Sequence, residues 1–279
     1  RSLLNVCPDA QVYVLAMDDR TYNLLKEEGG NHIRVVSLKE FESHDLLVAK
    51  SNRSGKEYCW TCGSAFIYFC MTNFHLPSCI YIDADLYFYA SPKVLLNEIG
   101  NEDVMITEHR YTSKFDVSKR SGKYCVQFMV FKNTLNGMRI LKWWRDQCLD
   151  WCYDRFEDGK FGDQKYLDDW TDRFEGVHVM RYEGGGLAPW NVQQYEISEE
   201  YDHKLIAKNK RTGECYDMVF YHFHHLRNYA LNNVNEFRMG PYPISRETKK
   251  FVYLPYIKML VEIYKQYSGP EFNPLGSVQ

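Results

Sequence analysis

No block of basic residues interrupts this chain, and its net charge is −3. A nucleic-acid-binding surface therefore has no support in the sequence. Apolar runs long enough to span a bilayer are also missing. The longest candidate, Ala65 to Ile82, is broken by Thr72, Asn73, His75 and Pro77. No stretch reads as a signal peptide. Zinc-type cysteine pairing is absent: Cys59-x-x-Cys62 has no second pair at ligand spacing and reads as two thiols on a helix. The nine cysteines, an odd number, are scattered from 7 to 215, several in apolar surroundings. They read as reduced, buried thiols of a cytoplasmic protein, not as a disulfide framework. Neither G-x-G-x-x-G nor a Walker loop follows a strand, which removes nicotinamide and ATP-loop readings. With no repeat, low-complexity segment or linker, residues 1–279 are expected to form one domain.

What is present is an ordinary globular composition, 45% hydrophobic and 25% charged, with 22 Tyr and 6 Trp. Rings at that density suit grooves for cyclic ligands, though an aromatic core explains them equally. Short β-prone runs at 11–17, 32–37, 80–83, 104–107, 124–131, 176–180 and 218–224 alternate with helical stretches at 20–28, 38–50, 57–73, 91–99, 137–154 and 251–267. A further helix is expected to start at Gly162-Asp163. Strands alternating with helices predict an α/β fold, a mainly parallel central sheet flanked by helices. The polar, basic stretch Tyr111 to Lys123 is expected as a mobile loop. Arg1 to Leu4 reads as the tail of a helix, so the chain is expected to begin within the architecture.

The stretch C-I-Y-I-D-A-D-L-Y-F-Y, Cys79 to Tyr89, sets two carboxylates in an apolar run. If the segment is extended, Asp83 and Asp85 point the same way and Ala84 turns aside. Convergent carboxylates at a strand end suit Mg²⁺ or Mn²⁺; alternatively each caps a turn or the next helix. Phe220 to Leu226 carries His222, His224 and His225, with His222 and His224 on one face. These are further candidate ligands, or one core histidine and two at the surface. Asp163 and Gln164 stand at an expected helix start, where Asp163 suits the N-cap. Gln164 suits contacts to sugar hydroxyls. Gly184-Gly185-Gly186, leading to Asn191, is either a cradle for phosphate or acceptor or a flexible connection.

In order, I-Y-I-D-A-D, G-K-Y-C-V-Q-F-M-V-F, F-G-D-Q-K-Y-L-D, G-L-A-P-W-N and F-Y-H-F-H resemble a nucleotide-sugar-dependent glycosyltransferase of the glycosyltransferase A fold. The resemblance is to a bacterial branch related to family 8 and covers nearly the whole chain. It implies transfer of a sugar from a nucleoside diphosphate sugar, UDP-sugar first, to a glycan or glycoconjugate hydroxyl, with retention. It implies Mn²⁺ or Mg²⁺ held by Asp83, Asp85 and His222, with His224 as the fallback. Asp163 and Gln164 match the pair lining the sugar and acceptor site. Lys56, Trp60 and Arg110 match donor-facing positions, as do Tyr58 and Thr61 beside Trp60. Where the family has an N-A-G step this chain has Cys125-Val126-Gln127, with Gln127 expected to replace the sugar contact. The family's first, base-gripping strand is expected to be missing. The inner membrane face is a candidate location, and the C-terminal helix bearing Tyr253, Tyr256 and Tyr264 is expected to pack on the domain, with a surface for a partner or membrane as the alternative. Paired aspartates also suit a metal-dependent phosphoesterase or nucleotidyltransferase, and a non-catalytic sugar-nucleotide-binding domain is the third reading.

Overall fold

Antiparallel pairing dominates the largest sheet of this protein, whose computed structural model describes residues 1–231 and 234–267. In chain order the strands are β1 (Val12–Ala16), β2 (Ile33–Ser37), β3 (Ser78–Ile82), β4 (Leu86–Phe88), β5 (Val104–Glu108), β6 (Tyr124–Lys132) and β7 (Val177–Val179). Then follow β8 (Tyr195–Glu199), β9 (Leu205–Asn209), β10 (Cys215–Asp217), β11 (Phe220–His222), β12 (Arg227–Leu231) and β13 (Val234–Arg238). The four-stranded sheet has the order β3-β6-β5-β7. Strand β6 runs antiparallel to both β3 and β5, while β5 and β7 are parallel. The expected mainly parallel sheet is thus corrected to a mixed α/β arrangement of several small sheets. The cause lies in the connection: parallel neighbours need a long crossover, usually a helix. Residues 109–123 supply only two short turns, Ser113–Phe115 and Ser118–Ser121, so β6 returns antiparallel beside β5. Helix Asp19–Glu28 does supply a crossover, and β1 and β2 are parallel.

Helix Gly55–Asn73 is fixed at its start by a reciprocal cap. Glu57 N–H donates to Ser54 Oγ, and Ser54 N–H donates to the Glu57 carboxylate. The helix is apolar on several sides because it is shared between two clusters. Tyr58, Cys62 and Ala65 pack with Val36 and Phe41, while Ile67 and Met71 join β5 and β6. Helix Leu135–Asp150, capped by Thr134, closes that second cluster with fully buried Trp144, against Phe131 and Trp170. Each such fully buried large side chain contributes about 1.5–3 kcal/mol relative to exposure.

Two helical expectations change. The stretch 38–50 is two helices, Leu38–Phe41 and His44–Ser51, with Glu42 extended between them. The Glu42 carboxylate there accepts from Tyr58 Oη and pairs with Lys50. Beyond Gly162 stands a 3-10 turn, Lys165–Asp169, then helix Trp170–Arg173, and the Asp163 side chain caps neither. Among the described residues no helix is long and apolar enough to cross a membrane. The C-terminal helix, Leu254–Tyr267, buries Tyr256 against Phe223, with ring centroids 3.9 Å apart.

Candidate metal centre

Strand pairing, not proximity in sequence, assembles the site. Strand β3 hydrogen-bonds along β6, and the pairing extends to Asp83, whose N–H donates to the Gln127 carbonyl (3.1 Å). The chain then turns, with Leu86 N–H donating to Asp83 O (3.3 Å). Asp83 and Asp85 therefore converge through a turn and not through the alternation of an extended strand. Strand β4 follows and pairs antiparallel with β11, setting His222 opposite Leu86. Phe223 N–H donates to the Asp85 carbonyl (3.0 Å), locking that register.

The result is a compact trio. His222 Nε2 lies 3.1 Å from Asp85 Oδ1 and 3.8 Å from Asp83 Oδ2. One ligand atom from each residue falls within 4.8 Å of the other two. The side chains are 6%, 46% and 23% exposed for His222, Asp85 and Asp83, so the trio opens to solvent on the Asp85 side. On its far side the imidazole is held by Gln127, with Nδ1 2.8 Å from Oε1. That bond leaves Nε2 directed at the carboxylates, the arrangement a ligating histidine needs. Two carboxylate oxygens and one imidazole nitrogen form a donor set suited to Mn²⁺-type ions.

The three groups shift one another's proton affinity. Burial raises the Asp83 carboxyl, partly offset by His222 and reinforced by Asp85. Asp85 is lowered: burial opposes this, but the His222 charge and its hydrogen bond prevail. Burial likewise works against charge on His222, yet the two carboxylates raise it well above the ordinary histidine range. Asp163, 5% exposed, is pushed up to about 7 by burial and by the charge of Asp83. The Tyr81 hydroxyl and the Cys59 thiol both lie close enough to Asp83 and Asp163 to be held neutral by their charge as well as by burial.

Asp83, Asp85, His222 and Asp163 are thus brought together, and the first turns of helix Gly55–Asn73 form the neighbouring wall. There Lys56 pairs with Asp154 (2.7 Å) and lies 4.5 Å from the centre of the Trp60 ring. Its charge reaches His224 and His225. Trp60 packs against Phe161 and over Gly162, where an added Cβ would come within 3.3 Å of the ring. Tyr58 and Thr61, on the same helix, are buried, at 3% and 0% exposure. His224 stays beside the trio, 5.7 Å ring to ring from His222 and against Trp190, but outside the three converging ligands.

Three residues expected to contact the donor or acceptor have partners within the protein. Gln127 is fully buried, with its Oε1 turned to His222. Gln164 donates its amide to Ser121 O (2.6 Å). Arg110, at φ +50°, donates to the Gly185 carbonyl and shares a cleft with Glu183 and Tyr195.

The sequence reading missed a clamp. Gln164 holds Ser121, Lys165 Nζ donates to Ser118 O (3.0 Å), and Asp168 accepts from Lys123 N–H (2.7 Å) and from Lys165 (2.7 Å). The F-G-D-Q-K-Y-L-D motif thereby pins the segment read as a mobile loop. The second motif, G-L-A-P-W-N, is similarly committed. Asn191 Nδ2 donates to the carbonyls of His109 and Gly186, and Trp190 Nε1 also donates to His109 O. Gly184 and Gly186 are buried where a Cβ would strike Asp217 O at 2.0 Å and Arg110 Nη2 at 2.8 Å. Close packing, more than cradling, explains them.

No known family profile matches the chain. It is 31% identical over 262 residues to the uncharacterized protein YfnD of Bacillus subtilis (strain 168), spanning 92% of this chain and 81% of that protein. It is 28% identical over 287 residues to the uncharacterized protein YfnF of the same organism, spanning 99% of this chain and 91% of that protein. At that identity and coverage, the chain belongs to the same family as YfnD.

Proposed function

We propose that this protein is a metal-dependent glycosyltransferase of the glycosyltransferase A type, using a nucleoside diphosphate sugar, UDP-sugar first, and a glycan or glycoconjugate hydroxyl. The observation that carries the reading is the convergence of Asp83, Asp85 and His222 on one small volume open to solvent. The donor set fits Mn²⁺ or Mg²⁺, and the excess negative charge of the two carboxylates fits a cation better than an apolar or anionic ligand. When bound, such an ion supplies Lewis-acid stabilisation of negative charge on the departing diphosphate.

The chain's own residues supply the rest. Asp83, Asp85 and His222 would hold the ion, whose charge would draw the diphosphate end of the donor to the mouth of the trio. Trp60, half-buried on the helix wall beside the motif that carries Asp163, would pack against an apolar sugar face once Lys56 moves from its ring. Asp163, buried next to Asp83, would accept from a sugar hydroxyl and fix the ring's orientation. Gln164, Lys165 and Asp168 hold residues 118–123 as a fixed wall of the cleft instead of a swinging lid. Retention is inferred from the family 8 resemblance alone. Nine unpaired cysteines support the cytoplasm, at the inner membrane face or away from it, as the compartment.

The test is a panel of nucleoside diphosphate sugars with Mn²⁺ and a mixture of saccharide acceptors. Release of nucleoside diphosphate, lost in Asp85→Asn, supports the reading. Release of a monophosphate or of pyrophosphate selects phosphoryl chemistry instead. Donor binding with no turnover selects a binding domain.

A further inference from the structure

The Gln127 side chain is buried, yet only one end of its amide is used. Oε1 lies 2.8 Å from His222 Nδ1, while Nε2 is sealed from solvent with no hydrogen-bond partner. A second sealed donor without a partner, Arg110 Nη1, belongs to the guanidinium beside it. The point where a Cβ on Gly186 would sit is 2.8 Å from Arg110 Nη2 and 3.2 Å from Gln127 Nε2. Both side chains therefore border the space that a Gly186 side chain would occupy. A buried donor without a partner demands a reason.

His222 gives that reason. Asp83 and Asp85 both face its Nε2, so that nitrogen either carries a proton shared with Asp85 or meets a cation. In both states the hydrogen on the opposite nitrogen, Nδ1, needs an acceptor. The Cys125 thiol lies beside the ring but accepts weakly. Gln127 Oε1 is the strong acceptor within reach. Its oxygen is thus committed to His222, and its NH₂ is left without a partner.

We propose that Gln127 is a positioning residue that fixes the tautomer of His222, keeping Nε2 available to a divalent cation at the Asp83–Asp85 pair. The proposal rests on the cation-site reading of the trio. It assigns Gln127 to the metal and removes it from the sugar.

The test compares Gln127→Leu, which removes the acceptor, with Gln127→Glu. The glutamate still presents an oxygen to His222 and sets a negative charge near the Arg110 guanidinium. Mn²⁺ affinity is measured by titration calorimetry, metal-free melting temperature by calorimetric scan, and the His222 ring tautomer by ¹⁵N NMR. Gln127→Leu is expected to bind Mn²⁺ about 10–100-fold more weakly than the wild type. In that variant the neutral ring carries its proton on Nε2, donated to Asp85. Gln127→Glu is expected to restore Mn²⁺ affinity to the wild-type level or tighter, and to melt above Gln127→Leu. A merely structural amide gives the opposite order, because a buried carboxylate then costs more than leucine. Equal Mn²⁺ affinity in wild type and Gln127→Leu overturns the proposal while leaving the cation site standing. So does a Gln127→Glu variant that binds Mn²⁺ at least about 10-fold more weakly than the wild type, a result that decides the matter even if the leucine variant does not fold. Failure of the wild type itself to bind Mn²⁺ overturns the cation-site reading and this proposal with it.

Discussion

His222 Nε2 stands 3.1 Å from Asp85 Oδ1 because β11 lies antiparallel to β4, with His222 directly opposite Leu86. Neither residue's local sequence contains that contact. A short two-stranded ladder makes it.

Removing one carboxylate separates function from stability. Burial raises the folded-state pKa of Asp83, so at neutral pH its ionised form weakens the metal-free fold. Asp83→Asn is expected to stabilise the metal-free protein by about 1 kcal/mol while abolishing its thermal response to Mn²⁺. Calorimetric scans with EDTA and with excess Mn²⁺ read both effects. A destabilised metal-free variant would show that the carboxylate is structural.

Cation binding is expected to expel a proton. In the metal-free protein the two carboxylates keep His222 charged to higher pH than usual. An incoming cation must displace that proton, so affinity weakens as the solution is made more acidic. Titration calorimetry near pH 7 in buffers of different ionisation enthalpy measures the number released. About one proton per ion is expected; none would mean that His222 is not a ligand.

His109 should set part of the acid sensitivity of the fold. Burial lowers its folded pKa to about 3, with its Nδ1 shared with Lys123 O. The unfolded chain takes up this proton near pH 6.5. The contribution is therefore fully present above pH 6.5 and is lost as pH falls from there toward 3. The slope approaches about 1.4 kcal/mol per pH unit for one proton. His109→Gln removes that proton and should flatten the urea-denaturation stability profile between pH 6.5 and 4. An unchanged slope would contradict the assignment.

The clamp on residues 118–123 is testable by proteolysis. Asp168→Ala removes the acceptor for Lys123 N–H and the partner of Lys165. The expected global cost is about 1–2 kcal/mol. Trypsin should then cut faster at Lys119, Arg120 and Lys123 than in the wild type. Equal cutting rates in the two proteins would show that the motif does not restrain the segment.

Glycines at similar dihedrals should differ sharply. At Gly186, φ +80°, an added Cβ meets Arg110 Nη2 at 2.8 Å and Thr107 Cγ2 at 3.0 Å; at Gly213, φ +76°, it meets open space. Gly213→Ala should cost only about 1 kcal/mol, the backbone term alone. Gly186→Ala adds overpacking and should cost about 3 kcal/mol or more. Similar melting temperatures for the two variants would count against the packing described around Arg110.

How far the sequence could be read follows from which signals are local. Asp83 and Asp85 stood out because carboxylates in an apolar run need a partner, and the late histidine strand offered one. The cap at Ser54 and Glu57 was equally available as a spacing, yet helix 57–73 was read without it. Strand β8 was missed although Tyr195 and Ile197 alternate inward with Glu196 and Ser198 outward. The direction of β6 was illegible because nothing in its own residues states how its neighbours run. Gln127 and Gln164 were read as sugar contacts because an amide's partner is decided by tertiary placement. Only the pairing of β3 with β6 and the turn at 118–121 show where those amides go.

The account turns on metal-dependent recognition of a nucleoside diphosphate, and one calorimetric titration addresses it. UDP is titrated into the wild type with Mn²⁺, into the wild type with EDTA, and into Asp85→Asn with Mn²⁺. Saturable binding confined to the first case is predicted. Equal binding in all three, or none in the first, would contradict it.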